Sequence, residues 1–157
     1  MKTVLRVLKW FGVAIVCLFV GLQFVRPART NPPVDPSQTI EARLQVPPHV
    51  ASILDRSCKD CHSNATRWPW YSNVAPFSWL LVDHVIEGRD NLNLSEWGHL
   101  DNRRVDDKLE EICDEVKIGA MPIDSYTWIH RSAKLSQEDV KTLCEWANAE
   151  RVRMGQR

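Results

Sequence analysis

The sequence predicts an all-α protein, with one apolar helix at its N-terminus and one helical domain after it. Two positive signals and one absence carry this reading. Apolar residues recur at i, i+3 and i+4 spacing through the second half of the chain. An uncharged run from Trp10 to Leu22 follows a basic start. No stretch alternates apolar and polar residues as a half-buried strand would, and no internal repeat is visible.

Taken in order, the first element is the N-terminal helix. Lys2, Arg6 and Lys9 precede the apolar run, so the positive-inside rule keeps the N-terminus cytoplasmic and exports the rest of the chain. From Val4 to Val25 the helix measures about 33 Å, enough to span a bilayer if Arg6 and Lys9 snorkel to the headgroups. No small-residue cleavage pattern follows Val20, and Cys17 lacks the small residue expected before a lipidated cysteine. Residues 1–25 are therefore read as a retained single-pass anchor, with a cleaved leader as the alternative. Cys17 is then a membrane-facing apolar residue.

Residues 26–46 are read as a stiff linker, because Arg26 to Pro36 holds four prolines in eleven residues. Pro47-Pro48 opens a domain over residues 47–150, whose length suits one core. Val50, Ile53 and Leu54 mark a short helix running into Cys58. Trp68 to Pro76 is aromatic and proline-broken, hence an ordered loop. Phe77 to Glu87 reads as a helix with Leu81 and Val85 inward, Trp79 as a third candidate for that face, and Gly88 as its C-cap. Asn91 to Asn102 is turn-rich. Arg104 to Ile118 is the cleanest amphipathic helix, with Val105, Leu109, Ile112, Cys113 and Val116 on one stripe and Gly119 ending it. The last helix starts at Ser136 with Asp139 three residues on, a relative of the capping box, and its stripe is Val140, Leu143, Cys144 and Ala147.

Composition narrows the function. Lys+Arg and Asp+Glu both number 20, and no basic run stands out, so nothing favours a nucleic-acid partner. The chain holds seven Trp, and Trp68, Trp70, Trp79 and Trp97 crowd one stretch.

Cys58-Lys59-Asp60-Cys61-His62 carries the chemistry. Two thiols separated by two residues reach the two vinyl groups of one haem from a single turn of chain. The histidine after the second cysteine then lies under the iron as proximal ligand. Chance would produce this pattern about 0.005 times in a chain of this composition, which makes it specific. A redox C-x-x-C would want a βαβ context, a zinc site a fourth ligand, and a plain Cys58–Cys61 disulfide leaves His62 unexplained. The expected cofactor is one covalent haem c.

The expected sixth ligand is Met121, in Gly119-Ala120-Met121-Pro122. Gly119 releases the chain from its helix, and Pro122 biases Met121 to extended backbone. A thioether is a soft, neutral ligand that favours ferrous iron. The metal ligands are thus read as His62 and Met121, with His130, His84 and His99 as substitutes and ordinary core as the bland reading of Met121. Trp68 and Trp79 follow the attachment site closely and are read as walls of the porphyrin.

The run Cys58-x-x-Cys61-His62-Ser63-Asn64, then Thr66-x-Trp68-Pro69-Trp70-Tyr71, Val74-Ala75-Pro76 and Ser78-Trp79-Leu80, resembles the small bacterial haem-binding domain family that carries a single C-x-x-C-H. Gly119-x-Met121-Pro122, Tyr126, Leu135-Ser136 and the upstream Gln23-Phe24-x-Arg26-Pro27-x-Arg29-x-Asn31-Pro32 match its layout, so the resemblance covers residues 22 to 148. It implies a membrane-tethered periplasmic protein of the bacterial inner membrane and a cytochrome c-like helical fold around one haem. It implies haem binding more firmly than any one task.

Cys113 and Cys144 lie on the stripes of the last two long helices. Outside the cytoplasm they can pair and pin the helices on either side of the Met121 loop; two buried free thiols are the alternative. The expected function is one-electron transfer between redox partner proteins that the sequence does not specify, and no enzyme. The alternative is a haem-based sensor or ligand-binding module with an open or labile sixth site. A small peroxidase would want a His and Arg pair on an open face, and only Arg131 beside His130 comes near.

Overall fold

The computed structural model describes residues 2–155, so Met1, the first residue of the expected anchor, lies outside them. Among the described residues there are seven α-helices joined by short 3-10 turns, and no strand. The helices are α1 (Lys2–Leu22), α2 (Ile40–Arg43), α3 (Pro48–Ser57), α4 (Phe77–Asn91), α5 (Asn102–Lys117), α6 (Asp124–Ile129) and α7 (Gln137–Gly155). The chain divides into two compact units: residues up to Thr30 with Trp68–His84, and Asn31–Arg67 with the chain from Val85 onward.

In the first unit, α1 buries no residue and is long and apolar enough to cross a membrane. At its end the N–H groups of Gln23, Phe24 and Val25 donate to the carbonyls of Val20, Gly21 and Leu22, tightening the last turn. The segment from Trp68 packs against this end. Gln23 exchanges two hydrogen bonds with the Ala75 backbone, its Nε2 donating to the carbonyl at 3.2 Å and its Oε1 accepting from the N–H at 3.0 Å.

The second unit holds the core. It is built from Ile40, Val50, Leu54, Leu94, Trp97, Val105, Leu109 and Leu143, each 2% exposed or less. α5 buries the stripe expected of it, Val105, Leu109, Ile112, Cys113 and Val116, and starts on Asp101, whose carboxylate accepts the Arg104 N–H at 2.8 Å. Cys113 and Cys144 are disulfide-bonded, with Cα atoms 4.8 Å apart, joining α5 to α7. α7 begins on the reciprocal cap expected at Ser136: Asp139 accepts the Ser136 N–H, and Ser136 Oγ accepts the Asp139 N–H. Burial works to raise the Asp139 carboxyl, but its bonds to Ser136 and Arg56 win and hold it below the usual aspartate range.

Three local expectations change. The stretch 26–46 is not all linker: Pro36–Gln38 forms a 3-10 turn and Ile40–Arg43 forms α2, with Ile40 and Leu44 in the core. Thr39 supplies the N-cap that the proline-rich composition had masked. The second change concerns α4, which does not stop at Glu87. It runs through Gly88 to Asn91 and buries Ser78, Val82, Val85 and Gly88, so Val85 is inward as expected while Leu81 is only half-buried. The third is on α7, which also buries Trp146 and Glu150. Both answer to the extended Leu44–Val46 segment: Trp146 Nε1 donates to the Gln45 carbonyl at 2.8 Å, and Glu150 accepts the Gln45 N–H at 3.2 Å.

Candidate functional site

α3 delivers the first cysteine. Pro48 opens the helix, where a missing N–H costs nothing, and Val50, Ile53 and Leu54 bury its inner face. Cys58 then caps it, its N–H donating to the Leu54 carbonyl at 3.0 Å. The chain closes a tight turn at once: the N–H groups of Cys61 and His62 both donate to the Cys58 carbonyl, at 3.1 and 2.9 Å. Two thiols and one imidazole are thereby gathered on one turn by backbone bonds alone. Both thiols are free and half-buried. Burial, with the neighbouring Cys61 adding to it, pushes Cys58 up to about 12; burial and then Asp60 push Cys61 up to about 11. Both are therefore neutral thiols at physiological pH.

His62 is oriented from the other side. Its Nδ1 lies 2.8 Å from the Gly88 carbonyl and 3.0 Å from that of Leu92, at the C-terminal end of α4. Carbonyl oxygens only accept, so Nδ1 donates, and Nε2 is the nitrogen left for a metal. An imidazole held this way through one nitrogen has its other nitrogen fixed in direction and raised in basicity for a metal.

Gly88 permits this approach. A Cβ added there would sit 2.9 Å from the Cys61 carbonyl oxygen and 3.2 Å from its carbon. The glycine inside α4 is thus a contact surface for the cysteine turn. Nothing in the sequence around it marked this contact, since Arg89, Asp90 and Asn91 follow and Gly88 reads there as a C-cap.

The segment after His62 is fastened along Leu94–Glu96. The His62 carbonyl accepts the Leu94 N–H at 2.7 Å, the Asn64 N–H donates to Ser95 Oγ at 3.1 Å, and Asn93 Nδ2 donates to Asn64 Oδ1 at 2.8 Å. Arg89 Nε adds a bond to the Ser63 carbonyl at 2.8 Å. Asp60, between the two cysteines, accepts from Arg67 Nε at 2.9 Å and from the Tyr126 hydroxyl at 2.8 Å. Burial and then the Asp60 bond hold the Tyr126 hydroxyl well above its ordinary value. Tyr126 stacks on His130 with ring centroids 4.5 Å apart. The Asp60–Tyr126 bond ties α6, just downstream of Met121, to the cysteine turn.

Met121 follows a helix end of the Schellman type. Gly119 takes φ +73°, its N–H donates to the Val116 carbonyl at 3.3 Å, and the Ala120 N–H to that of Glu115 at 3.0 Å. Only glycine adopts that backbone without cost, so the chain leaves α5 sharply and presents Met121, 37% exposed, on a loop rather than on a stripe. His99 is exposed, and His84 belongs to the first unit. Trp68 and Trp79 also belong to the first unit, whereas Cys58, Cys61, His62 and Met121 share the second. Trp79 directs its indole N–H to the Val25 carbonyl at 2.7 Å.

The donor set suits a haem better than a bare ion. Among the described residues no three His, Cys, Asp or Glu side chains are gathered as a closed metal site requires. Adjacent thiols with one histidine whose Nε2 is free are a donor set that a haem would suit. A comparison with known protein families matches residues 17–149 to the haem-binding domain. The chain belongs to the haem-binding domain family. Searches of curated proteins and of solved structures found no match. Haem binding is thus the activity that family membership and the cysteine–histidine turn share.

Proposed function

We propose that this haem-binding domain is a membrane-tethered, mono-haem c-type cytochrome of the bacterial periplasm, moving single electrons between protein partners and catalysing no reaction of its own. The observation that carries it is the Cys58–His62 turn, with both thiols free and the His62 ring locked through Nδ1. When bound, the haem supplies a one-electron couple between ferric and ferrous iron. Cys58 and Cys61 would hold it by thioether bonds, and His62, through Nε2, and Met121 would ligate its iron. The backbone bonds that lock His62 fix the direction in which its ring would meet the iron. A cytochrome c-like arrangement of α3, α5 and α7 goes with this reading.

The test uses the protein matured in an export-competent host. Haem that survives acid–acetone extraction supports thioether attachment; complete extraction removes the c-type assignment. The ferric protein should be low-spin with a weak near-infrared sulfur–iron band. Met121→Ala should abolish the band, open the ferrous form to carbon monoxide and lower the potential, whereas Met121→His should stay low-spin without the band. If wild type already binds carbon monoxide rapidly and Met121→Ala changes nothing, the sensor reading replaces the carrier. The partial exposure of Met121 is the observation on that side.

A further inference from the structure

In the first unit, the Trp68–His84 segment is tied to the end of α1 at three successive places. Ala75 pairs with the Gln23 amide in both directions, the Trp79 indole N–H donates to the Val25 carbonyl at 2.7 Å, and Ser72 Oγ accepts from Arg29 Nη1 at 3.0 Å. These partners lie within the first seven residues after α1 ends at Leu22. A 21-residue helix measures about 32 Å, close to the hydrocarbon thickness, so a bilayer crossed by α1 ends near Gln23. Backbone carbonyls there have left the helix ladder and sit where water is scarce. The Trp79 indole answers that need for Val25.

The same small unit consumes its polar groups inward and turns large apolar side chains outward. Ser72, Ala75 and Ser78 are buried, while Trp70 is 78% exposed, Phe77 58% and Leu80 51%, next to Phe24 at 85% and Val25 at 63%. Phe77 and Leu80 stand three apart on α4, so they share a face. A group of this kind is unusual on a surface facing water. Trp at the end of a membrane helix belongs at the headgroup level, where its amphipathic ring is favoured, and Phe and Leu belong at the acyl boundary just beneath it.

We infer that Trp70–Leu80 is an interfacial membrane element, with Trp70, Phe77 and Leu80 seated in the headgroup and upper acyl layer of the bilayer that α1 crosses. The inference rests on the anchor reading of α1. Continuity of the exposed apolar residues with α1, itself without a buried residue, selects lipid as the occupant. The segment gives the unit a second foothold and sets the rotation of the chain about the helix exit, which a single span leaves free.

The experiment uses full-length haem-loaded protein in vesicles of phosphatidylcholine and phosphatidylglycerol, doped with a lipid carrying a diazirine near the headgroup–acyl boundary. After illumination, adducts are mapped by peptide mass spectrometry. Adducts on residues 70–80 as well as on α1 are expected, and the combined change Trp70→Ser, Phe77→Ser, Leu80→Ser should remove the former and keep the latter. Wild-type adducts on α1 alone overturn the inference and leave the anchor standing. Absence of adducts on α1 overturns the anchor reading and this one with it.

Discussion

At the scale of single residues, the site turns on three side chains that carry the chemistry, Cys58, Cys61 and His62, and one residue with no side chain. His62 is useful because its Nδ1 proton is committed to the Gly88 and Leu92 carbonyls. That commitment requires α4 to touch the cysteine turn, and Gly88 is the point of contact. In an ordinary exposed helix interior, glycine to alanine gains about 1 kcal/mol. At Gly88 the sign should reverse: the added methyl meets Cys61 backbone, which has no rotamer to yield, so Gly88→Ala is expected to cost about 1–3 kcal/mol. Thermal unfolding of the haem-loaded protein measures it, and Gly88→Val should fare worse and lower haem loading. A stabilised Gly88→Ala protein would mean that the close approach is not required.

At the scale of elements, the two long helices of the second unit were the most legible part of the chain. The α5 stripe and the Ser136 cap of α7 are local patterns, and each is realised within two residues of its expected place. The Cys113–Cys144 bond is not local. Both cysteines lay on apolar stripes, but whether the stripes met was a matter of tertiary packing. With a sequence separation of 31 between them, replacing both by Ala should remove about 3–4 kcal/mol by loss of the loop constraint. Urea unfolding should show the lower midpoint, and a thiol reductant should bring wild type down towards the variant. Thioether attachment at Cys58 and Cys61 should be untouched, since those sulfurs are not part of the bond. A reductant that leaves the wild-type midpoint unchanged would argue that the bond contributes nothing.

At the scale of the whole molecule, the anchor proposed for α1 and its side of the membrane would decide what the haem domain can meet. α1 has the length and apolarity of a span, and Lys2, Arg6 and Lys9 bias its N-terminus to the cytoplasm. The full-length protein should stay in the membrane pellet through a carbonate wash, and a C-terminal reporter that folds only after export should be active. A shortened soluble form in the periplasm would show that the helix is a cleaved leader. An inactive reporter on a membrane-bound protein would reverse the orientation.

The sequence by itself determined what depends on near neighbours: helices from apolar spacing, caps from short polar side chains, the Cys58-Cys61-His62 turn from contiguity, and the loop at Met121 from the glycine two residues before it. Each is settled within a few residues, so it can be read from one stretch of chain. Tertiary structure decided what depends on distant partners. It placed Ile40 and Leu44 in the core despite the proline-rich run before them. It carried α4 through Gly88 to meet Cys61, and it set Tyr126 on Asp60 across 66 residues of sequence. It also bound Trp79 to Val25, in a unit separate from the cysteine turn that Trp79 follows closely in sequence. Periodicity says which side of a helix is apolar, but the partner of that side is chosen by packing, where contacts between remote residues outweigh local preference.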